Sequence, residues 1–154
     1  MKLRNICSKE VATVEPKASL REAAALMRER HVGALVVVET AQGKTRPVGI
    51  VTDRDIVVAV LAVPGARPEG IRAGDVMPAT LVTADDTDGV FEALQKMAHH
   101  GVRRLPVIDA GGALVGIVTA DDLLRVLATE LASFASALRR GAERESASRK
   151  KLEA

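Results

Sequence analysis

Tryptophan and tyrosine are absent, and phenylalanine occurs only at Phe91 and Phe134. A protein that reads nucleic acid by stacking bases on aromatic rings needs more rings than that. The formal charge of +2 is too small to attract a polyanion by itself. Both observations argue against a nucleic-acid partner. Cys7 is the single cysteine, so no internal disulfide can form, which agrees with a reducing compartment. The longest apolar run, Ile56–Val63, is far too short to cross a bilayer. The basic start MKLRNICSKEV is followed by no apolar stretch of signal-peptide length. A cytoplasmic protein without a membrane partner is expected. His99 and His100 are adjacent and diverge on a helix, and with His31 and Cys7 they form no metal-ligand spacing. Glycine-rich phosphate loops, nucleophile elbows and paired carboxylates are also missing, so neither a metal nor an enzyme is expected.

What the chain does contain is a repeat. GIVTDRD at 49–55 returns as GIVTADD at 116–122. A shift of 70 places sets Ile6 on Val76, Thr13 on Thr83, Leu20 on Val90, Glu22 on Glu92, Ala23 on Ala93, Met27 on Met97 and Val32 on Val102. The same shift sets Leu35–Val38 on Leu105–Ile108; the offset then falls to 67 because the loop ETAQGKTRP is longer than DAGGAL. A length change confined to a loop marks two copies of one fold. Cys7 falls on Met77, so packing explains it better than reactivity.

Each copy parses alike. Val11–Val14 and Leu81–Thr83 read as short strands. Leu20, Ala23, Ala24 and Met27, matched by Val90, Ala93, Leu94 and Met97, have the spacing of an amphipathic helix. Ser19 and Glu22 predict a capping box; Gly89 makes a weaker start that Asp88 helps. Ala34–Val38 and Pro47–Thr52 read as strands around a polar loop, and Asp109–Gly112 as a hairpin turn. A second helix is expected over about Asp53–Ala62, and again from Asp121 onward. The fold class is α/β (α+β): two β-α-β-β-α repeats packed as a pseudo-twofold pair. Residues 3–63 form repeat one, 64–72 a linker, 73–130 repeat two, and 131–154 a C-terminal helix and polar tail. Leu127, Leu131, Phe134 and Leu138 extend the last helix as an apolar stripe, whereas RRGAERESASRKKLEA reads as a frayed or disordered end.

The paired units, the doubled Gly-x-x-Thr-x-x-Asp, the segment Gly74-Asp75-Val76-Met77 and HHGVRRLPVID together resemble tandem CBS domains, and in particular the small stand-alone bacterial CBS-pair proteins. The resemblance implies two clefts between the repeats that bind adenosine compounds: AMP, ADP or ATP, with NAD or S-adenosylmethionine as further candidates. It also implies a flat homodimer and a downstream protein that reads the bound state. The residue chemistry agrees. An ionised carboxylate accepts from both ribose hydroxyls, which suits Asp55 and Asp122. Thr52 and Thr119 can donate to ribose or phosphate oxygens, and backbone groups near Thr13, Val14, Thr83 and Ala84 can read the adenine edge. Arg103 and Arg104, with Arg54, are the phosphate candidates. Repeat one carries Gly33-Ala34 where repeat two carries the arginine pair, so asymmetric clefts are expected. The plainer readings stand beside these: Asp55 and Asp122 as helix caps, Arg103 and Arg104 as surface charge, and the whole chain as a scaffolding homodimer with empty or degenerate clefts. Nucleic-acid binding by the basic tail is a third and weaker option.

Overall fold

The computed structural model describes residues 1–152. One unit ends at Thr119; the remainder forms a single helix, Ala120–Leu152 (α5).

The first unit holds two three-stranded sheets built to one plan. In repeat one, β1 (Thr13–Val14) runs parallel to the central β2 (Ala34–Ala41), which pairs antiparallel with β3 (Lys44–Thr52). The helix α1 (Leu20–Arg30) connects β1 to β2. After β3 come a short α2 (Asp53–Ile56) and a π-helical turn over Val57–Leu61, in which Ala62 N donates to Val57 O at 3.2 Å. Repeat two repeats the pattern with β4 (Ala84–Asp85), β5 (Arg104–Ile108), β6 (Leu114–Thr119) and the helix α4 (Val90–His100). Even the ladder irregularities correspond: β2 slips register at Val37/Val38 and β5 at Val107/Ile108. The sheets meet along β3 and β6.

Both faces of the central strands are covered, which explains their unbroken apolar runs. Leu35 and Val37 join Leu20, Ala23 and Met27 of α1 and Val51 of β3 in one core cluster. Val36 and Val38, pointing the other way, are buried too. The capping box expected at Ser19 is present: Ser19 N donates to Glu22 Oε2 at 2.7 Å and Glu22 N donates to Ser19 Oγ at 3.2 Å. The donated bonds hold the Glu22 carboxyl below its usual range. At α4 only half of this motif survives. Gly89 N donates to Glu92 Oε2 at 2.6 Å, and Asp88 serves the Asp85 N–H and Lys96 instead of the cap.

Three expectations need correction. The polar loop between β2 and β3 is mostly strand; the hairpin turns tightly at Gln42-Gly43, both with positive φ (52° and 74°), as a two-residue turn of opposite hand requires. The strand opening repeat two lies at Ala84–Asp85, not at 81–83. The segment expected to be a frayed or disordered end is helical as far as Leu152, the last described residue; positions 153 and 154 lie outside the described residues. Helix formers and charged residues sustain it, although its sequence lacks a core-facing stripe in this part.

The short segment leading into each repeat docks on the other repeat. Residues 3–8 lie against repeat two: Leu3 N donates to Asp88 O at 2.8 Å, Arg4 N to Asp86 O at 2.9 Å, and Ser8 exchanges two 2.9 Å bonds with Ile117. The helix α3 (Ala73–Val76) mirrors this on repeat one, with Ala73 N donating to Ala18 O at 2.8 Å and Gly74 N to Pro16 O at 2.9 Å. Two glycines make the exchange possible. A Cβ on Gly49 would overlap Met77 Sδ, and one on Gly116 would lie 2.6 Å from Cys7 Sγ and 2.8 Å from Ser8 O. The glycine opening each heptapeptide is therefore the seat for a sulfur side chain from the opposite repeat. Cys7 is buried there, with Lys9 Nζ 3.3 Å from its sulfur.

Among the described residues no helix is long and apolar enough to cross a membrane.

Candidate ligand clefts

Residues alternate sides along a strand, so Ile50 and Thr52 at the end of β3 face one way. They open onto a cleft of about 310 Å³, near the lower end of the roughly 300–1,000 Å³ common for small-molecule sites. Asp55, in the first turn of α2, stands beside them. The facing wall belongs to repeat two: Pro78, Thr80, Leu81 and Val82 after α3, and Gly101 to Arg104 between α4 and β5. The left-handed Gly101 ends α4 (φ 66°) and turns the chain so that both arginines enter the same cleft as Thr52 and Asp55. Sequence reasoning left open which cleft the arginines serve; the geometry sets them opposite the Thr-x-x-Asp of repeat one.

Thr52, not Asp55, is the N-cap of α2, and Asp55 is the third helical residue. Asp55 Oδ2 accepts from Thr52 N at 2.8 Å and from Thr52 Oγ1 at 2.7 Å, while Asp55 N donates back to Thr52 Oγ1 at 3.2 Å. That occupies one carboxylate oxygen. Oδ1 has no protein partner among the described residues, so a half-buried acceptor remains for a donor in the cleft. Arg103 and Arg104 make no ion pair among the described residues, and Arg104 is half-buried. One end of the cleft thus carries a negative acceptor and the other two uncommitted cations. That arrangement suits a molecule with hydroxyls at one end and an anionic group at the other.

A second cleft is lined by Ser8–Thr13, Leu26, Arg30 and Val32, positions that shift by 70 onto 78–83, Lys96, His100 and Val102. Thr13 lies here, and Lys9 and Arg30 supply positive charge although repeat one has no arginine pair before β2. Arg30 stands where repeat two has His100, so applying the repeat shift to the helix end would have found it.

The other expected residues lie elsewhere. Arg54 is exposed on α2 and lines neither cleft. Val14 pairs with Val37 and packs on the core, and Ala84 is buried opposite Val107. Thr83 precedes β4 and lines neither cleft, while Leu81 and Val82 take the wall position expected of Thr83 and Ala84. Thr119 ends β6, and Asp122 occupies the first turn of α5. His31 closes α1 in a left-handed conformation (φ 53°), and the rings of His99 and His100 meet edge to face with centroids 4.8 Å apart. Among the described residues no cluster of three His, Cys, Asp or Glu could hold a metal.

Known proteins with this architecture are numerous. YhcV of Bacillus subtilis (strain 168), a CBS domain-containing protein, is 39% identical over 79% of this chain and 81% of its own length. An uncharacterised protein of Methanopyrus kandleri, MK0525, is 37% identical over 79% of the chain, which spans only 60% of that protein. Among solved structures, the CBS domain protein PAE2072 from Pyrobaculum aerophilum, complexed with AMP, superposes with a TM-score of 0.74 at 29% identity, covering 86% of this chain and 99% of that one. The CBS domain pair of protein MJ0100, in complex with 5-methylthioadenosine and S-adenosyl-L-methionine, gives 0.70 at 28% identity over 84% and 98%. The model of the CBS domain matches residues 3–62 and again 73–129, the two repeats found in the sequence and in the sheets. The chain belongs to the CBS-domain proteins.

Proposed function

We propose that this chain is a non-catalytic, cytoplasmic regulatory module that binds an adenosine nucleotide between its CBS repeats and passes the bound state to a protein partner. The observation that carries the reading is the cleft in which Thr52 and Asp55 of repeat one face Arg103 and Arg104 of repeat two. Asp55 Oδ1 accepts the ribose hydroxyls, and the arginines meet the phosphates. The aliphatic wall of Ile50, Leu81, Val82 and Val102 takes the adenine without an aromatic partner. AMP, ADP and ATP suit the two free cations best; NAD and S-adenosylmethionine present the same adenosine. Backbone groups on the open edges of β1 and β4, beside Thr13, Val14, Thr83 and Ala84, are candidate readers of the base. Arg54 is a candidate only for a phosphate tail that leaves the cleft.

Thr119 and Asp122 repeat the Thr-x-x-Asp spacing and are proposed as ribose contacts. In the second cleft Lys9 and Arg30 stand in place of the arginine pair, with the opposite charge of Glu10 beside them. The two sites therefore differ in their affinity for charge. Because repeat one holds the sugar and repeat two the phosphate, a ligand favours whichever arrangement lets both grips close. A ligand shifts conformation only by such differential affinity. The module acts as a homodimer, and the liganded form is what its partner reads.

One observation favours a different reading. Thr52 and Asp55 already satisfy each other as a capping box, which is what a scaffolding dimer with degenerate clefts needs from them. The ultraviolet spectrum of the purified protein, with mass spectrometry of whatever heat releases, tests the choice. Without Trp or Tyr the chain is almost invisible at 280 nm, so a retained nucleotide dominates near 260 nm. A released adenosine compound is the expected result. A clean spectrum, together with no melting shift from a panel of adenosine ligands, would leave the scaffold.

A further inference from the structure

The helix α5 carries an apolar seam far larger than a solvated helix needs. Leu124, Leu131 and Leu138 recur every seven residues, with Leu127 and Phe134 between them. Leu124, Leu131, Phe134 and Leu138 are 59%, 68%, 63% and 60% exposed. Such a repeat on one face is the pattern by which helices pair. Its flanks are small or charged: Ala128, Ala135 and Ala142 along one side, Glu130, Ala137 and Arg144 along the other.

The charges decide what covers it. A parallel pair of these helices sets Glu145, on the seam, against Glu145 of the second molecule, and Arg144 beside Arg149 of the second molecule. An antiparallel pair with Phe134 opposite Leu138 removes both conflicts. Glu130 then faces Arg144 of the second molecule, twice by symmetry. Ala135 meets Ala135, Ala137 meets Ala137, and Ala128 meets Ala142, so the flanks permit close approach. Leu131 lies over the hydrogen of Gly141. The helix dipoles also run opposed. We propose that α5 is a self-association element that joins two molecules as an antiparallel helix pair along Leu131, Phe134 and Leu138, registered by reciprocal Glu130–Arg144 ion pairs. This deepens the homodimer reading by naming the surface and its polarity.

Sedimentation equilibrium on the full chain tests it. Wild type is expected to be a dimer. Leu131→Glu with Phe134→Glu should weaken association by more than about a hundredfold. Both residues are exposed, and an unchanged circular dichroism spectrum and melting temperature would show that the fold survives. Glu130→Lys should weaken it about tenfold, and adding Arg144→Glu should restore it. A parallel pair would ignore Glu130→Lys and would be strengthened by Arg144→Glu, which turns its Arg144–Arg149 repulsion into attraction, and that result overturns the proposal. A dimer untouched by the Leu131/Phe134 variant also overturns it, while leaving self-association through another surface standing. A wild-type monomer overturns both readings.

Discussion

Removing the Asp55 carboxylate takes two hydrogen bonds from the start of α2. Asp55→Ala should therefore cost about 1 kcal/mol of unliganded stability, as loss of a cap does, and should also abolish the nucleotide-induced melting shift. Arg104→Ala separates the two roles. Arg104 holds no protein partner among the described residues, so its loss should change unliganded stability by less than about 0.5 kcal/mol while still reducing the melting shift. If thermal melts show Asp55→Ala destabilised but still responsive to ligand, the carboxylate is a cap alone. Thr52, Asp55, Arg103 and Arg104 were legible because charge and hydroxyl at a strand end announce themselves. Leu81, Val82 and Ile50 were not, since an aliphatic wall looks like any core strand until the chain is folded. The charge of Arg54 is equally conspicuous, but helical geometry turns it out to solvent and away from the cleft lining.

Gly49 and Gly116 occupy equivalent places on β3 and β6, yet their neighbours differ in how they can yield. Gly116→Ala drives a Cβ against Ser8 O, a backbone atom, and should cost about 1–3 kcal/mol through overpacking. Gly49→Ala meets side-chain atoms of Met77, Sδ, Cγ and Cβ, so trimming Met77 to alanine in the same chain should recover much of the loss, measured by urea denaturation. At the β5–β6 hairpin, Asp109 Oδ1 accepts from Ala113 N at 2.9 Å and Gly111 N at 2.8 Å. These bonds, the Ala113 one foremost, hold its carboxyl below the ordinary value of 3.8. Its stabilisation is fully present above that value and is lost as pH falls through the lower folded-state value. Asp109→Asn should therefore melt lower than wild type at neutral pH, with the gap closing in acid. Helices could be read from periodicity, because burial on one face dictates it, and central strands from unbroken apolar runs, because both their faces are buried. The β2–β3 hairpin could not: its strands continue past the apolar run, held by ladder bonds that leave no hydrophobic signature. The two-residue β1 and β4 owe their positions to pairing with β2 and β5 rather than to propensity.

Across the whole molecule, the repeats were evident from the heptapeptides alone, but their exchange of lead-in segments was not, because alignment reveals which residues correspond and not which repeat they touch. Residues 3–8 look like a dispensable terminus and are instead part of the fold of repeat two. Deleting residues 1–8 should lower the melting temperature by several degrees, and urea unfolding of the intact chain should show one transition rather than one per repeat. A ligand present at a hundredfold above its dissociation constant should add about 2.7 kcal/mol to that transition. The exchange also orders events on the ribosome. Repeat one leaves the exit tunnel with Gly49 bare and must wait for Met77; Leu3 and Arg4 wait for the segment holding Asp86 and Asp88, and Cys7 and Ser8 for the strand holding Gly116. Residues 3–8 are thus among the last parts to fold, and a ribosome stalled before Gly116 emerges would display a nascent chain whose Cys7 has no seat.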